Sequence, residues 1–260
     1  MRALAVLSCI WALAIPVPAS GQAAKPPAAP PAPATSPGVQ PEALAALKRM
    51  SDYLTSLRTF ELVSNSVLDL VTVNGQRLQI DGVVRYKVAR PGIWVDFDTS
   101  LKHRQYFYDG KQFTVYAPKL GFYASMPAPP TNREFLKAVY EKTGISLPLE
   151  DLFRWNDGDD SDLRELTWGF NVGTARIDGV ETDHWAFRQG DYDWEVWIRQ
   201  GNEPLPLKLV IVDRTDPAMP GYSARLKWTP NPGLTKADFT FVPGTDAKRI
   251  QLATLVDHAK

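Results

Sequence analysis

The sequence predicts a mainly β protein of the α+β class, built on one strongly bent antiparallel sheet of about ten strands. Three observations predict this class. Apolar and polar residues alternate with a period of two in many short segments, turn-forming residues separate most of these segments, and two or three segments with helical spacing interrupt them. Each helical segment is apolar on one side, so we expect the helices to close the concave face of the sheet as a lid.

Composition narrows the classes of function. The chain has 260 residues, of which 44% are hydrophobic, so there is ample material for a core. Its 29 basic residues balance its 29 acidic residues. Bulk charge therefore gives no reason to expect a nucleic-acid partner or an anionic membrane surface.

Residues 1–21 have the pattern of a cleaved secretory signal peptide. Arg2 precedes an apolar run from Ala3 to Ile15, and small residues follow it. The run is shorter than the roughly 20 residues of a membrane span, so we expect no transmembrane segment in the mature chain; an uncleaved anchor is the alternative. Cys9 is the single cysteine and lies inside this run. If the signal peptide is cleaved, the mature chain contains no cysteine. Disulfides, thiolate catalysis and cysteine-bound metals are then all excluded.

Residues 22–41 are rich in alanine and proline, which predicts an extended, disordered linker. Residues 42–256 are then expected to form a single domain. It begins with a helix over about 42–57, whose leucines recur at three- and four-residue spacing.

A long hairpin follows, with strands over about 60–73 and 76–88 joined by Asn74-Gly75. In the second strand the apolar residues fall on even positions. Arg90 shares that parity, which predicts an inward-facing arginine.

The middle of the chain alternates between strands and a helix. Strands are predicted over 93–98, with Asp96 and Asp98 outward, and in a hairpin over 104–116. Thr131 and Glu134 predict a capping box at the start of a helix that ends before Gly144. A short helical turn is predicted over 148–155.

Residues 182–212 predict three consecutive antiparallel strands with one aromatic face, broken at Gly190 and Gly201. A strand over 166–176 precedes them, and strands over 222–228 and 239–242 follow. Trp197 is the exception, because it lies on the polar side of its strand. Cover by a neighbouring loop and contact with a partner both remain open for it. The face itself is predicted to contain Trp185, Phe187, Trp194, Val196, Ile198, Leu207, Leu209 and Ile211.

The sequence contains none of the usual catalytic, phosphate-binding or cofactor motifs. His103, His184 and His258 are far apart and are interpreted as surface or tail residues. The acidic run over 156–162 lacks the glycine and glutamate of a calcium-binding loop. We therefore expect no enzyme activity, no cofactor and no metal site.

Several segments resemble the periplasmic lipoprotein carriers LolA and LolB. Gly82–Pro91 resembles their strand that ends in an Arg-Pro pair, and Tyr108–Lys111 with Phe113–Pro118 resembles their Asp-Gly-Lys hairpin and the following aromatic strand. Phe239–Pro243 resembles their closing strand. The tryptophan-rich segment is more similar to a bacterial family of predicted periplasmic proteins of unknown function within that superfamily.

The resemblance implies a periplasmic location and an unclosed half-barrel of about ten to eleven strands, with helices over an apolar cavity that holds acyl chains. It also implies that Arg90 holds the lid by hydrogen bonds. The residues expected to line the cavity are Val84, Tyr86, Val95, Phe97, Phe113, Trp185, Phe187, Trp194, Leu207 and Leu209.

Three functions follow as hypotheses. The first is a monomeric periplasmic carrier of a lipid, an acyl chain or a lipid-modified protein. The second is an envelope sensor or scaffold that binds a protein partner through the same half-barrel. The third is a hydrolase, which requires His103 or His184 to lie within hydrogen-bond reach of a serine and a carboxylate.

Overall fold

The computed structural model describes residues 38–147, 149 and 165–252. Two α-helices, α1 (Pro41–Ser56) and α2 (Asn132–Thr143), and a 3-10 helix at Lys236–Phe239 accompany the strands. The strands are β1 (Thr59–Val71), β2 (Arg77–Ala89), β3 (Gly92–Thr99), β4 (His103–Tyr108), β5 (Gln112–Ala117), β6 (Phe122–Pro127), β7 (Leu166–Ile177), β8 (Val180–Gln189), β9 (Tyr192–Arg199), β10 (Pro206–Asp213), β11 (Gly221–Pro230) and β12 (Lys248–Arg249).

The twelve strands described form one sheet in the order β12-β6-β5-β4-β3-β2-β1-β11-β10-β9-β8-β7. Neighbours are antiparallel except β12, which runs parallel to β6. Because β12 and β7 lie at opposite ends of this order, the sheet is unclosed, and the predicted fold class is confirmed. The alternation pattern did not reveal β6, which ends at the prolines before α2, or β12, which has only two residues.

The predicted meander over 182–212 is confirmed as β8, β9 and β10. Its inner residues pair across the strands: Trp185 lies opposite Val196, and Val196 opposite Leu209. Gly190 and Gly201 take positive φ angles of 51° and 94° in the two connections, where side chains are disfavoured. A register shift between Pro206 and Lys208 places a bulge at Leu207.

Both predicted helices are confirmed. In α1 the buried residues form one stripe, which includes Ala43, Leu47 and Met50. In α2 the Thr131 hydroxyl accepts a hydrogen bond from the Glu134 amide at 3.3 Å, as the capping pattern predicted. Gly144 ends α2 in the left-handed conformation.

The predicted disordered linker is too long at its C-terminal end, because residues 38–41 belong to the fold. The Gln40 amide donates to the Gly169 carbonyl at 2.8 Å, and Val39 forms a parallel bridge with Gly169. These bonds use backbone groups on the outer edge of β7 that have no further strand beside them. They also fix where α1 begins.

The predicted strand over 239–242 is wrong. Thr235 and Asp238 form a capping box on a 3-10 helix that ends at Phe239, and the chain then crosses the outer face of the sheet without forming a ladder until β12. The Phe241 ring packs against Phe107, Tyr116 and Tyr123 of β4, β5 and β6 at 4.9–5.2 Å between ring centroids. Alternating aromatic residues here pack on a sheet face instead of continuing the sheet. We call residues 236–249 the C-terminal strap.

Three predicted features lie outside the described residues. They are the helical turn over 148–155, except for residue 149, the acidic run over 156–162, and His258. The proposed signal peptide lies outside them as well.

Candidate ligand-binding face

The concave face of the sheet carries ten of the eleven predicted site residues, and all ten belong to one apolar cluster with α1 and α2. Phe97 and Leu207 are half-buried. The buried members are Val84, Tyr86, Val95, Phe113, Trp185, Phe187, Trp194 and Leu209. The period-two pattern therefore located the inner face correctly.

The two helices cover different flanks of this face. On one flank the α2 residue Phe135 is stacked on Tyr108 with 3.8 Å between ring centroids, and its ring lies 5.3 Å from that of Phe113. On the other flank α1 packs against β7. Phe187 and Trp194 stack on each other near that side, with 4.3 Å between ring centroids. The two helices thus cover the flanks of the inner face of the unclosed sheet, as the predicted lid requires.

Between the two flanks, β11, β1 and β2 carry a group of small residues at inner positions: Ser64, Ser66, Gly82 and Ala224. Ser64 lies between Leu226 and Val84, and Ser66 lies between Ala224 and Gly82. Ser64 is fully buried and Ser66 is 8% exposed. The sequence analysis missed this central row, although parity shows it: Ser64 and Ser66 fall on the same even positions as Leu62, which is fully buried.

Three polar atoms of this inner face lack hydrogen bonds to described residues, whereas the Ser66 hydroxyl donates to the Gly82 carbonyl at 3.3 Å. Ser64 Oγ, Trp185 Nε1 and the Tyr222 hydroxyl are buried, and no described residue forms a hydrogen bond with them. Burial raises the pKa of Tyr222, and the nearby Ser64 and Ser66 hydroxyls only partly offset the rise. The three hydroxyls are therefore close together, but the geometry around Tyr222 and Ser64 falls short of a hydrogen bond.

Arg90 does not occupy the predicted inward position. It is exposed and lies in the turn after β2, where its backbone amide donates to the Arg58 carbonyl at 3.3 Å. Parity failed because β2 ends at Ala89 and the alternation does not extend into the turn. Within the described ranges, no hydrogen bond or ion pair joins the Arg90 side chain to either helix. Its role as a latch stays a prediction.

On the outer face, Asp96 is 8% exposed, although the sequence predicted a water-facing residue. Its carboxylate accepts hydrogen bonds from Arg85 at 3.0 Å and Gln105 at 3.1 Å, and lies 2.7 Å from His103 Nε2. Burial acts to raise the pKa of Asp96, but these partners hold the pKa below its ordinary value. Polar partners on two neighbouring strands thus explain the buried carboxylate.

A second outer-face cluster explains why Trp197 is buried. The His184 ring stacks on Trp197 with 3.9 Å between ring centroids, and Lys208 Nζ lies 4.0 Å from the Trp197 centroid. His184 Nε2 also lies 2.6 Å from Glu195 Oε2, and this hydrogen bond lowers the pKa of Glu195. Side chains of the adjacent strands, rather than a partner, provide most of this cover.

The hydrolase hypothesis gains no support from the histidines that the structure describes. His103 and His184 each have a carboxylate partner, but no serine of the described chain is hydrogen-bonded to either ring. The described residues also contain no group of three His, Cys, Asp or Glu side chains arranged to hold a metal ion.

One groove of the described residues lies on the outer face, not on the inner one. Its volume is about 640 Å³, and its floor includes Asn65, Val67, Asp81 and Val83, which alternate with the inner residues of β1 and β2. Another groove, of about 570 Å³, lies between β6, β12 and the end of α2. Neither groove contains a predicted site residue.

No helix among the described residues is long and apolar enough to span a membrane.

The chain belongs to the family described as predicted periplasmic protein, DUF2092, whose model matches residues 43–253. This confirms the sequence-based expectation of a periplasmic family of unknown function. No curated protein matches the sequence.

Several solved structures are similar to this chain at low identity. An uncharacterized conserved protein from Thermus thermophilus is 14% identical with a TM-score of 0.44, over 81% of this chain and 99% of its own. The lipoprotein LppX of Mycobacterium tuberculosis is 14% identical with a TM-score of 0.45, over 74% of this chain and 97% of its own. MucB in the Pseudomonas aeruginosa MucA/MucB complex is 13% identical with a TM-score of 0.43, over 80% of this chain and 63% of its own.

Proposed function

We propose that this protein is a non-enzymatic periplasmic binding or carrier protein that holds a lipid, an acyl chain or a lipid-modified protein against the inner face of its half-barrel. The observation that carries this proposal is the continuous apolar and aromatic inner face of an unclosed sheet, covered at its two flanks by separate helices. An unclosed sheet can admit a ligand by moving a helix, without breaking strand pairing.

The gain from burying an acyl chain is large enough for such a function. Each CH₂ group removed from water contributes roughly 0.8 kcal/mol, so a chain of about 16 carbons contributes about 13 kcal/mol gross. Part of this gain offsets the loss of helix packing, because Leu47 and Met50 of α1 are buried in the same cluster. Ligand binding and helix displacement are therefore coupled in this proposal.

The remaining parts of the proposal concern the whole chain. We propose that residues 1–21 are a signal peptide cleaved on export, that residues 22 to about 37 are a linker, and that the domain over about 38–256 acts as a monomer. The family description as periplasmic supports export. Arg90 is retained in the proposal as a latch for the helices.

Mass spectrometry of co-purified lipid tests the proposal. The full-length precursor is expressed with export to the periplasm, purified without detergent, and examined intact and after organic extraction. We expect bound acyl lipid in the purified protein and renewed uptake after delipidation. Absence of both would refute the lipid proposal, and unchanged uptake by Arg90→Leu would remove the latch from it.

A protein partner is the second candidate. The β1–β2 hairpin continues the inner face beyond the helices, and its apolar side chains are exposed there: Leu68 by 47%, Leu70 by 43% and Leu78 by 38%. Exposed apolar clusters of this kind are typical of interaction surfaces. In the co-purification experiment, a bound envelope protein with no lipid would favour this candidate.

A further inference from the structure

We infer that the middle of the inner face, at Ser64, Ser66 and Tyr222, is a hydrogen-bonding site for the carbonyl oxygen of an ester- or amide-linked acyl chain. This inference rests on the proposed function and specifies the chemistry of its ligand. We call these three residues the inner polar site.

The position of the inner polar site follows from strand register. Ser64 and Ser66 occupy inner positions of β1, and Tyr222 of β11 lies opposite Leu68, one inner position further along β1. The adjoining inner positions are Gly82 and Ala224. Four adjoining inner positions thus have small side chains, whereas aromatic rings occupy the inner positions on both flanks.

The energetic argument comes from the polar atoms. A buried hydroxyl without a hydrogen bond costs about 1–3 kcal/mol. Ser64 Oγ and the Tyr222 hydroxyl are both buried without a hydrogen-bond partner in the described part of the chain. A ligand oxygen placed between them would satisfy both groups.

The hydrogen-bond donors of this face limit further which chemical class of ligand fits it. Both hydroxyls can donate, and Trp185 Nε1, which lies four strands away in the same inner row as Ser66, can only donate. It too lacks a hydrogen bond to any described residue. Such a surface suits a ligand that brings acceptor oxygens with its acyl chain, as an ester or amide carbonyl does. A simple hydrocarbon leaves these donors unsatisfied.

Two probes that differ in one carbonyl test the inference. The delipidated full chain is titrated with 1-palmitoylglycerol and with 1-O-hexadecylglycerol, an ether that keeps the glycerol and the chain length but lacks the carbonyl oxygen. We expect the ester to bind about 5–10-fold more tightly, as one or two buried hydrogen bonds imply. Equal affinities would overturn the inference while leaving the proposed function intact. Binding of neither probe would count against the proposed function itself.

Variants assign the effect to the inner polar site. The double substitution Ser64→Ala with Tyr222→Phe removes both hydroxyls with little change of shape, so we expect it to abolish the preference for the ester. Tyr140→Phe is the matched control, because Tyr140 lies on α2 and is 58% exposed. Retention of the ester preference in the double variant would contradict the inference.

The melting temperature of the delipidated protein tests the inference without any ligand. Removing unsatisfied hydroxyls from the delipidated protein should leave its melting temperature unchanged or raise it. Marked destabilisation of the double variant would mean that the hydroxyls are already satisfied without ligand, which would also overturn the inference.

Discussion

Gly92, at the start of β3, shows how closely the C-terminal strap packs on the sheet. A Cβ atom at this position would lie 2.7 Å from the ring of Phe239, which is itself 5% exposed. Real Cβ atoms do not approach a ring so closely, so a side chain at this position would force the buried Phe239 ring to move. Gly92 is therefore required for close approach rather than for backbone freedom.

Substitution at Gly92 gives a prediction at the scale of one residue. We expect Gly92→Ala to lower the free energy of unfolding by about 1–3 kcal/mol, because the added methyl group displaces Phe239. Urea titration followed by circular dichroism measures this change. Gly233→Ala is the control, since its Cβ would meet no atom within 4 Å. Equal stability of the two variants would show that the strap does not pack tightly at Gly92.

The even or odd position of a residue in its strand predicted the inner face well, because most inner residues are apolar and every second residue faces inward. Val84, Tyr86 and Trp185 follow directly from a period of two. Parity cannot predict what happens beyond the end of a strand, as at Arg90, or on the outer face when polar partners bury a residue, as at Asp96. For a small polar residue such as Ser64, parity alone indicates the inward position, because serine is mostly exposed in proteins and its residue type points the other way.

At the scale of elements, the C-terminal strap is held mainly by an ion pair and aromatic contacts, and it forms a ladder only at its end, where the two residues of β12 pair with β6. Asp238 accepts a hydrogen bond from Lys87 Nζ at 2.7 Å and another from the Thr235 amide at 2.8 Å. The hydrogen bond from Lys87 is the main reason why the pKa of Asp238 falls to about 2. Lys87 lies on β2, so this contact ties the strap to the centre of the sheet.

The lowered pKa predicts how the strap responds to acid. A carboxylate whose pKa is lower in the folded state adds stability above its unfolded pKa, and this stability is lost as the pH falls through the folded value. The difference in unfolding free energy between wild type and Asp238→Asn should therefore be constant above about pH 5. It should shrink as the pH falls from 3.8 towards about 2. Urea titrations at pH 6, 4 and 3 measure it, and a pH-independent difference would contradict the ion pair.

Short sequence motifs predicted the turns and helix ends, which depend on neighbouring residues. Asn74-Gly75 marked the β1–β2 hairpin, and Thr131 with Gly144 marked both ends of α2, because caps and turns depend on a few adjacent residues. The strap depends on contacts such as Lys87 with Asp238, which are 151 residues apart. Such long-range contacts leave no periodic trace in the sequence.

At the scale of the whole molecule, the sheet separates two environments. Its inner face is apolar and covered by helices, whereas its outer face carries the paired charges around Asp96 and Glu195 and the strap. Charge pairs lie on the outer face in both halves of the sheet, at Asp96 of β3 and Glu195 of β9, and the strap crosses the same face. The inner face is therefore the apolar surface that we propose for the ligand. The two sides can be distinguished by their tryptophans, since Trp185 and Trp194 are inner residues and Trp197 is an outer one.

Quenching of tryptophan fluorescence by a brominated acyl chain tests the central claim most directly. The delipidated protein is titrated with a glycerol ester of a brominated fatty acid, since bromine quenches only indole rings close to it. We expect strong quenching in the wild type, weaker quenching in the double variant Trp185→Phe with Trp194→Phe, in which Trp228 of the inner cluster remains, and unchanged quenching in Trp197→Phe. Quenching that survives in the double variant but is lost in Trp197→Phe would place the acyl chain on the outer face and contradict the account.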